Sequence, residues 1–209
     1  MNKVLLFDFD GTLADSFENF LTTVNILLVK NGLPQFTKKQ LEESRSEDAR
    51  TLIKKLKIPF YKIPFLARDM KTMQEEKISQ IKIFKGLPEV LRKLKETGYI
   101  LGILTSNGED NVKLFLKNNN IDIFDYIYSD AGLFGKDKLI RKLLKENSIS
   151  KEDALYIGDE IRDIQACKNV GIKIVSVSWG FNSKEGLAKH EPDYLIDSPE
   201  DLLILLKDK

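Results

Sequence analysis

The apolar run Val4-Leu5-Leu6-Phe7 stops abruptly on Asp8-Phe9-Asp10-Gly11. A strand with apolar residues on both faces is buried on both, which favours a parallel sheet covered by helices. The run is far too short for a membrane span or a signal peptide. Similar runs recur at 99–104, 154–157 and 172–177, with weaker ones at 126–128 and 194–196. Between them lie amphipathic stretches. One starts at Pro88, carries Val90, Leu91 and Leu94, and stops at Gly98. A second, 137–146, puts Leu139, Ile140, Leu143 and Leu144 on one face, and a third, 161–170, ends at Gly171. A fourth follows Ser198-Pro199 with Leu202, Leu203, Leu205 and Leu206. Buried strand alternating with amphipathic helix predicts an α/β fold, a Rossmann-like parallel sheet with helices on both faces.

Residues 16–80 break that rhythm. They show helical patterns at 17–30, 38–45, 47–56 and 66–80, punctuated by Pro34, Pro59 and Pro64, and no strand pattern. The expected organisation is therefore a core of 1–15 and 81–209, with 16–80 inserted as a small α-helical cap. Phe60, Tyr61 and Phe65 read as apolar anchors of that insertion.

Composition removes several chemistries. The 209 residues contain one cysteine, Cys167, and one histidine, His190. That excludes an intrachain disulfide framework, a structural zinc set and an HExxH protease, and it suits a reducing, cytoplasmic setting. A Ser-His-Asp hydrolase would depend on His190 in a polar, loop-like run. A cysteine phosphatase would need an arginine closing the loop after Cys167, where the chain reads Lys168-Asn169-Val170-Gly171. Lys and Arg total 33 against 32 for Asp and Glu, so a net charge of +1 supplies no field drawing the chain to nucleic acid or a membrane.

In open α/β sheets ligands bind outside the carboxyl ends of the strands. Those ends carry Asp8 and Asp10, then Thr105-Ser106-Asn107, then Asp159-Glu160 with Asp163 one helical turn on. Gly135-Lys136 opens a helix between the runs at 126–128 and 154–157. Close pairs among four such acids repel by about 4 kcal/mol at an effective dielectric near 20, so the cluster must protonate or hold a cation. Hard oxygen donors without histidine or thiolate point to Mg2+. The Thr105 hydroxyl, the Ser106 and Asn107 amides, which are expected to open the next helix, and the Lys136 ammonium suit the oxygens of a phosphoryl group. Thr105 is preferred over Ser106 because it follows the apolar run directly, with a one-residue offset left open. Lys138 competes with Lys136, and the adjacent Gly135 favours the latter. The run 132–136 has glycines too closely spaced for a Walker loop, and Asp137 stands where a Ser or Thr is needed. Arg45, Arg50 and Arg68 read as solvated side chains, each long enough to reach a substrate carboxylate.

Asp8-Phe9-Asp10-Gly11-Thr12-Leu13 resembles the DxDGT signature of the haloacid dehalogenase superfamily. Thr105-Ser106-Asn107, Lys136 and Gly158-Asp159-Glu160-Ile161-Arg162-Asp163 resemble its remaining motifs in order. The tract from Tyr156 through Trp179-Gly180-Phe181-Asn182 is similar to the phosphoglycolate-phosphatase-like branch. The resemblance implies that Asp8 is the nucleophile and Asp10 the general acid and base. It also implies that Mg2+ is held by Asp8, the Asp10 backbone carbonyl and Asp159, with Glu160 or Asp163 holding metal-bound water. Thr105, Ser106, Asn107 and Lys136 would bind phosphate. The implied activity is hydrolysis of the phosphomonoester of a small metabolite, phosphoglycolate-like or a sugar phosphate. A phosphomutase on the same core and a non-catalytic binding protein of this fold are the alternatives. Asp10 speaks against the dehalogenase branch, which needs no proton for a leaving alcohol. Phosphonate hydrolysis would need a cap lysine as nucleophile, and nothing marks Lys54, Lys55 or Lys57 for that role. The sequence assigns no oligomeric state.

Overall fold

The computed structural model describes residues 3–47, 51, 54–55, 58–129 and 135–207. Most of the helix expected over 47–56, Arg50, Lys57, the side chain of Phe60 and the segment 132–134 lie outside the described residues.

β1 (Val4–Phe7), β2 (Ile100–Thr105), β3 (Tyr126–Ser129), β4 (Ala154–Gly158), β5 (Lys173–Val177) and β6 (Tyr194–Ile196) form one parallel sheet. Its order is β3-β2-β1-β4-β5-β6. All four residues of β1 are buried, as the unbroken apolar run requires of a central strand. Alternation divides its side chains between two cores. Leu5 and Phe7 join the cluster covered by α4 (Leu87–Glu96), α5 (Glu109–Asn118) and α9 (Glu200–Leu206). Val4 and Leu6 join the cluster under α6 (Lys136–Glu146) and α7 (Ile161–Val170). The chain builds outward from β1 through β2 to β3, then crosses back to place β4 on the other side. The topological switch point therefore lies between the carboxyl ends of β1 and β4, where a ligand crevice is expected.

Between β1 and α4 the described residues form helices: α1 (Phe17–Lys30), α2 (Lys38–Ser44) and α3 (Ile63–Lys77), with α1 packed along α3. The chain leaves and re-enters the core side by side, since Asp15 N–H donates to the Lys82 carbonyl (2.9 Å) and Phe84 N–H to that of Leu13 (3.1 Å). α3 begins three residues before the expected 66. Pro64 lies in its first turn, where a missing N–H costs no helical hydrogen bond. Tyr61 and Phe65, expected as anchors, are exposed. The helix expected to open at Ser106-Asn107 starts instead at Glu109, after Gly108. Side chains hold the preceding turn: the Thr105 hydroxyl accepts Asn107 N–H (2.9 Å) and the Asn107 side chain accepts Gly108 N–H (2.8 Å). A short helix not expected from the sequence, α8 (Lys184–Ala188), is capped by Ser183, which accepts Gly186 N–H at 3.2 Å.

Candidate active site

Asp8 continues β1 by one residue, its N–H donating to the Ile157 carbonyl of β4 at 2.8 Å. One carboxylate oxygen of this buried side chain accepts Phe9 N–H (2.8 Å) and the other accepts Lys136 Nζ (2.6 Å). The chain then turns sharply. Leu13 and Ala14 N–H both donate to the Phe9 carbonyl, and Gly11 sits at φ +79°. A Cβ on Gly11 would lie 2.2 Å from Asp159 Oδ2, so both the backbone angle and the space demand glycine there. The turn aims Thr12 and Asp10 in different directions. Thr12 Oγ1 donates to Asp159 Oδ1 (2.6 Å), while Asp10 Oδ2 accepts Asn107 Nδ2 across the crevice (3.2 Å).

Asp159 follows β4 and is fully buried; its Oδ2 accepts Phe181 N–H at 2.7 Å. Asp163 lies one turn into α7, accepts Glu160 N–H (3.1 Å) and ion-pairs with Lys136. Lys136 stands at the amino end of α6 after Gly135 (φ +133°), so a single ammonium bridges Asp8 at the end of β1 and Asp163 in the first turn of α7. Asp8, Asp159 and Asp163 each offer an oxygen within 4.8 Å of the others.

Burial dominates the electrostatics. It pushes Asp10 up to about 6, with the Asp8 charge adding to the rise and the side chains of Ser16 and Asn107 opposing it. Burial also raises Asp159, reinforced by Glu160, Asp8 and Asp163. Asp163 is pulled both ways: burial and the neighbouring acids raise it, whereas Lys136 and Arg162 lower it. Burial disfavours the Lys136 ammonium, yet Asp163 and Asp8 outweigh it and hold that group charged above the usual lysine range.

Of the residues singled out from sequence, Asp8, Asp10, Asn107, Lys136, Asp159 and Asp163 therefore converge on the crevice. Thr105 is buried at the end of β2 with its hydroxyl engaged by Asn107 N–H, and Ser106 is half-buried beside it. Glu160 caps α7, and its carboxylate accepts Arg162 Nε (2.9 Å). Arg162, not among the residues singled out as site residues from sequence, has a charge that acts on Asp8 and Asp163 as well as Glu160. Sequence reasoning also passed over Thr12, Phe181 and Asn182 as site residues. The acid-glycine-threonine string marks Thr12, and the tract through 179–182 carries a family resemblance, but nothing in its spacing shows that this loop rests on Asp159. Arg68 is exposed beside Asp69, as expected. Arg45 is not solvated: it lies against that loop, donating to the carbonyls of Gly180 and Phe181.

Cys167 is buried in α7, and burial pushes its thiol far above the ordinary range. That makes it a poor nucleophile.

A family model described as haloacid dehalogenase-like hydrolase matches residues 5–177. The chain is 27% identical over 202 residues to a phosphoglycolate phosphatase of Synechococcus elongatus, covering 96% of this chain and 95% of that protein. It is also 27% identical over 216 residues to the pyrophosphatase PpaX of Listeria monocytogenes, covering 98% and 96% of the two chains. A solved haloacid dehalogenase-like hydrolase of Streptococcus pneumoniae superposes with a TM-score of 0.83 at 23% identity, over 98% of both chains.

Proposed function

The chain belongs to the haloacid dehalogenase-like hydrolase family, and on that premise we propose that it is a Mg2+-dependent phosphatase of small phosphorylated metabolites, acting through an aspartyl phosphate on Asp8. In this reading residues 1–15 and 81–209 form the catalytic core and 16–80 the cap, and the enzyme works in the cytoplasm. The observation that carries it is the buried Asp8–Asp159–Asp163 cluster bridged by Lys136.

The donor set fits a hard divalent cation. Its three grouped ligands are carboxylates, and together with Asp10 and Glu160 they outnumber the bases Lys136 and Arg162. Asp8, Asp159 and the Asp10 carbonyl would hold Mg2+, with Asp163 and Glu160 fixing its waters. Bound there, Mg2+ would offset the negative charge that otherwise keeps a phosphate from a carboxylate nucleophile.

The residues divide the remaining work. Lys136 Nζ, 2.6 Å from Asp8 Oδ2 and also paired with Asp163, masks the nucleophile and offers its remaining proton to a phosphoryl oxygen. Thr105, Ser106 and Asn107 line the opposite wall, supplying hydroxyl and amide donors to the same group. An Asp8 oxygen attacks phosphorus, the ester P–O bond breaks, and Asp10 protonates the departing oxygen. Asp10, now ionised, takes a proton from water as that water attacks phosphorus. The Asp8–phosphorus bond breaks and inorganic phosphate leaves. A carboxyl pushed up to about 6 is suited to both halves, being acid and base within one pH unit of neutrality.

Phosphoglycolate follows from similarity to the Synechococcus phosphatase and pyrophosphate from similarity to PpaX, so both belong in a screen beside sugar phosphates. Phosphate release is expected with Mg2+ and not after chelation. Asp8→Asn is expected to abolish turnover; a variant as active as the parent would sink the mechanism. Product analysis showing an isomerised phosphate ester without free phosphate would establish a mutase instead.

A further inference from the structure

Arg45 is set on the helical insertion just past α2, yet its contacts lie on the core. Nη2 donates to the Gly180 carbonyl (2.8 Å) and Nε to the Phe181 carbonyl (3.0 Å), while Nη1 faces Glu42 (3.1 Å). The other side of the same two peptide groups faces Asp159. The N–H of the Gly180–Phe181 peptide donates to Asp159 Oδ2 at 2.7 Å, and that of the Phe181–Asn182 peptide donates to the Asp159 backbone carbonyl at 3.3 Å. A cation bound to a peptide oxygen polarises that peptide and strengthens its N–H as a donor. The guanidinium fork thus reaches Asp159 through two peptides in parallel.

The rest of the contact leaves little slack. A Cβ on Gly180 would lie 2.2 Å from Asp159 Oδ2, so the loop rests directly on the carboxylate. Asn182 accepts Ile161 N–H through Oδ1 (2.9 Å) and donates through Nδ2 to the carbonyls of Arg45 (2.7 Å) and Glu47 (2.9 Å). It therefore ties the first turn of α7 to the insertion's backbone. The Phe181 ring meets Phe17 and Phe20 edge-on, and the Arg45 guanidinium lies 4.8 Å from the Phe17 ring centroid. At Gly186 a Cβ would sit 2.7 Å from Ser46 Cα, so the two backbones approach as closely as glycine allows.

We propose that Arg45 is a positioning residue that couples docking of the helical insertion to cation affinity, by holding the 180–182 loop whose amides fix Asp159. This rests on the reading in which Asp159 is a cation ligand. It predicts that a change on the insertion, remote from every ligand, alters cation binding itself. The far side of a ligand commonly controls affinity by tenfold or more.

The test is direct binding of Mn2+, followed by the paramagnetic signal of the free ion, with circular dichroism to establish the fold. Arg45→Met is expected to weaken Mn2+ roughly tenfold, and Arg45→Lys, which keeps charge but loses the fork, about threefold. Glu42→Gln, altering only the exposed partner, is expected to match the parent. Turnover by Arg45→Lys is expected to return to within about twofold of the parent at saturating Mg2+. Should Arg45→Met fail to fold, Arg45→Lys decides alone. Affinity within the parent's experimental error in the folded variants overturns the coupling. Two references separate that failure from failure of the functional reading. If the parent binds Mn2+ and Asp159→Asn does not, the cation site stands whatever Arg45 does. If the parent binds none, the cation site falls and this proposal with it.

Discussion

Burial of Asp10 costs stability above neutral pH, and the sign can be worked out. Its carboxyl titrates near 3.8 when unfolded and about 6 in the folded protein, because burial disfavours the charge. The folded state therefore holds more proton between those values. This contribution to stability is intact below about pH 4, is lost as pH rises through about 6, and stays lost above. A shift of two units corresponds to at most about 3 kcal/mol at 1.36 kcal/mol per unit, and water in the crevice reduces it to ~1 kcal/mol. Asp10→Asn in chelator should then be more stable than the parent at pH 8, with the advantage vanishing near pH 4. Urea unfolding at the two pH values checks this; an advantage no larger at pH 8 would refute the burial argument. The same variant should lose on the order of 10²–10⁴-fold in kcat, measured by phosphate release. Asp8, Asp10 and Asp159 were legible because each follows an apolar run, and Lys136 because it opens an amphipathic helix, so the strand and helix periods fix their places. Arg45 was not, since what holds it is backbone carbonyls 135 and 136 positions away, and a carbonyl leaves no trace in composition.

α6 shows how packing delivers one charge. Lys136 occupies its first position, and Leu139, Ile140, Leu143 and Leu144 bury the face that lies on the sheet. That face seats the helix on the sheet and so brings the ammonium to Asp8 and Asp163, as the amphipathic sequence pattern implies. Leu143→Ala should therefore destabilise by about 3 kcal/mol through lost burial and a residual cavity, as buried leucines do. Lys136 lies two turns away, so kcat at 20 °C, where the variant is folded, should change less than about twofold. A loss below about 1 kcal/mol would mean the face is not the anchor. Boundaries followed local chemistry that periodicity ignores. Pro64 belongs inside α3's first turn, and the Thr105 and Asn107 side chains delay α5 to Glu109. α8 has five residues, too few for a period to register, and is marked mainly by Ser183.

The fold assembles its acids from segments about 150 residues apart, and on the proposed function this would couple folding to a bound cation. Without one, Asp159 sits fully buried among Asp8, Glu160 and Asp163, and its pKa is raised by burial and by those charges. The folded state bears that repulsion and the unfolded chain does not. Asp159→Asn removes a charge while keeping the shape. Its amide oxygen can still accept Phe181 N–H, and its NH2 can donate to the Thr12 hydroxyl, which reverses roles. The metal-free variant should therefore be more stable than the metal-free parent. On the proposed function Mg2+ would act oppositely, because binding only the folded state adds RT ln(1 + [Mg2+]/Kd), about 2.7 kcal/mol at a hundred times Kd. The two melting curves should cross: the variant unfolds at the higher temperature in chelator, and the parent overtakes it as Mg2+ rises. Parallel responses would show that Asp159 holds no cation. A parent already more stable in chelator would show instead that the buried acids are neutralised by protons, with Lys136 and Arg162 supplying all the compensation the crevice requires.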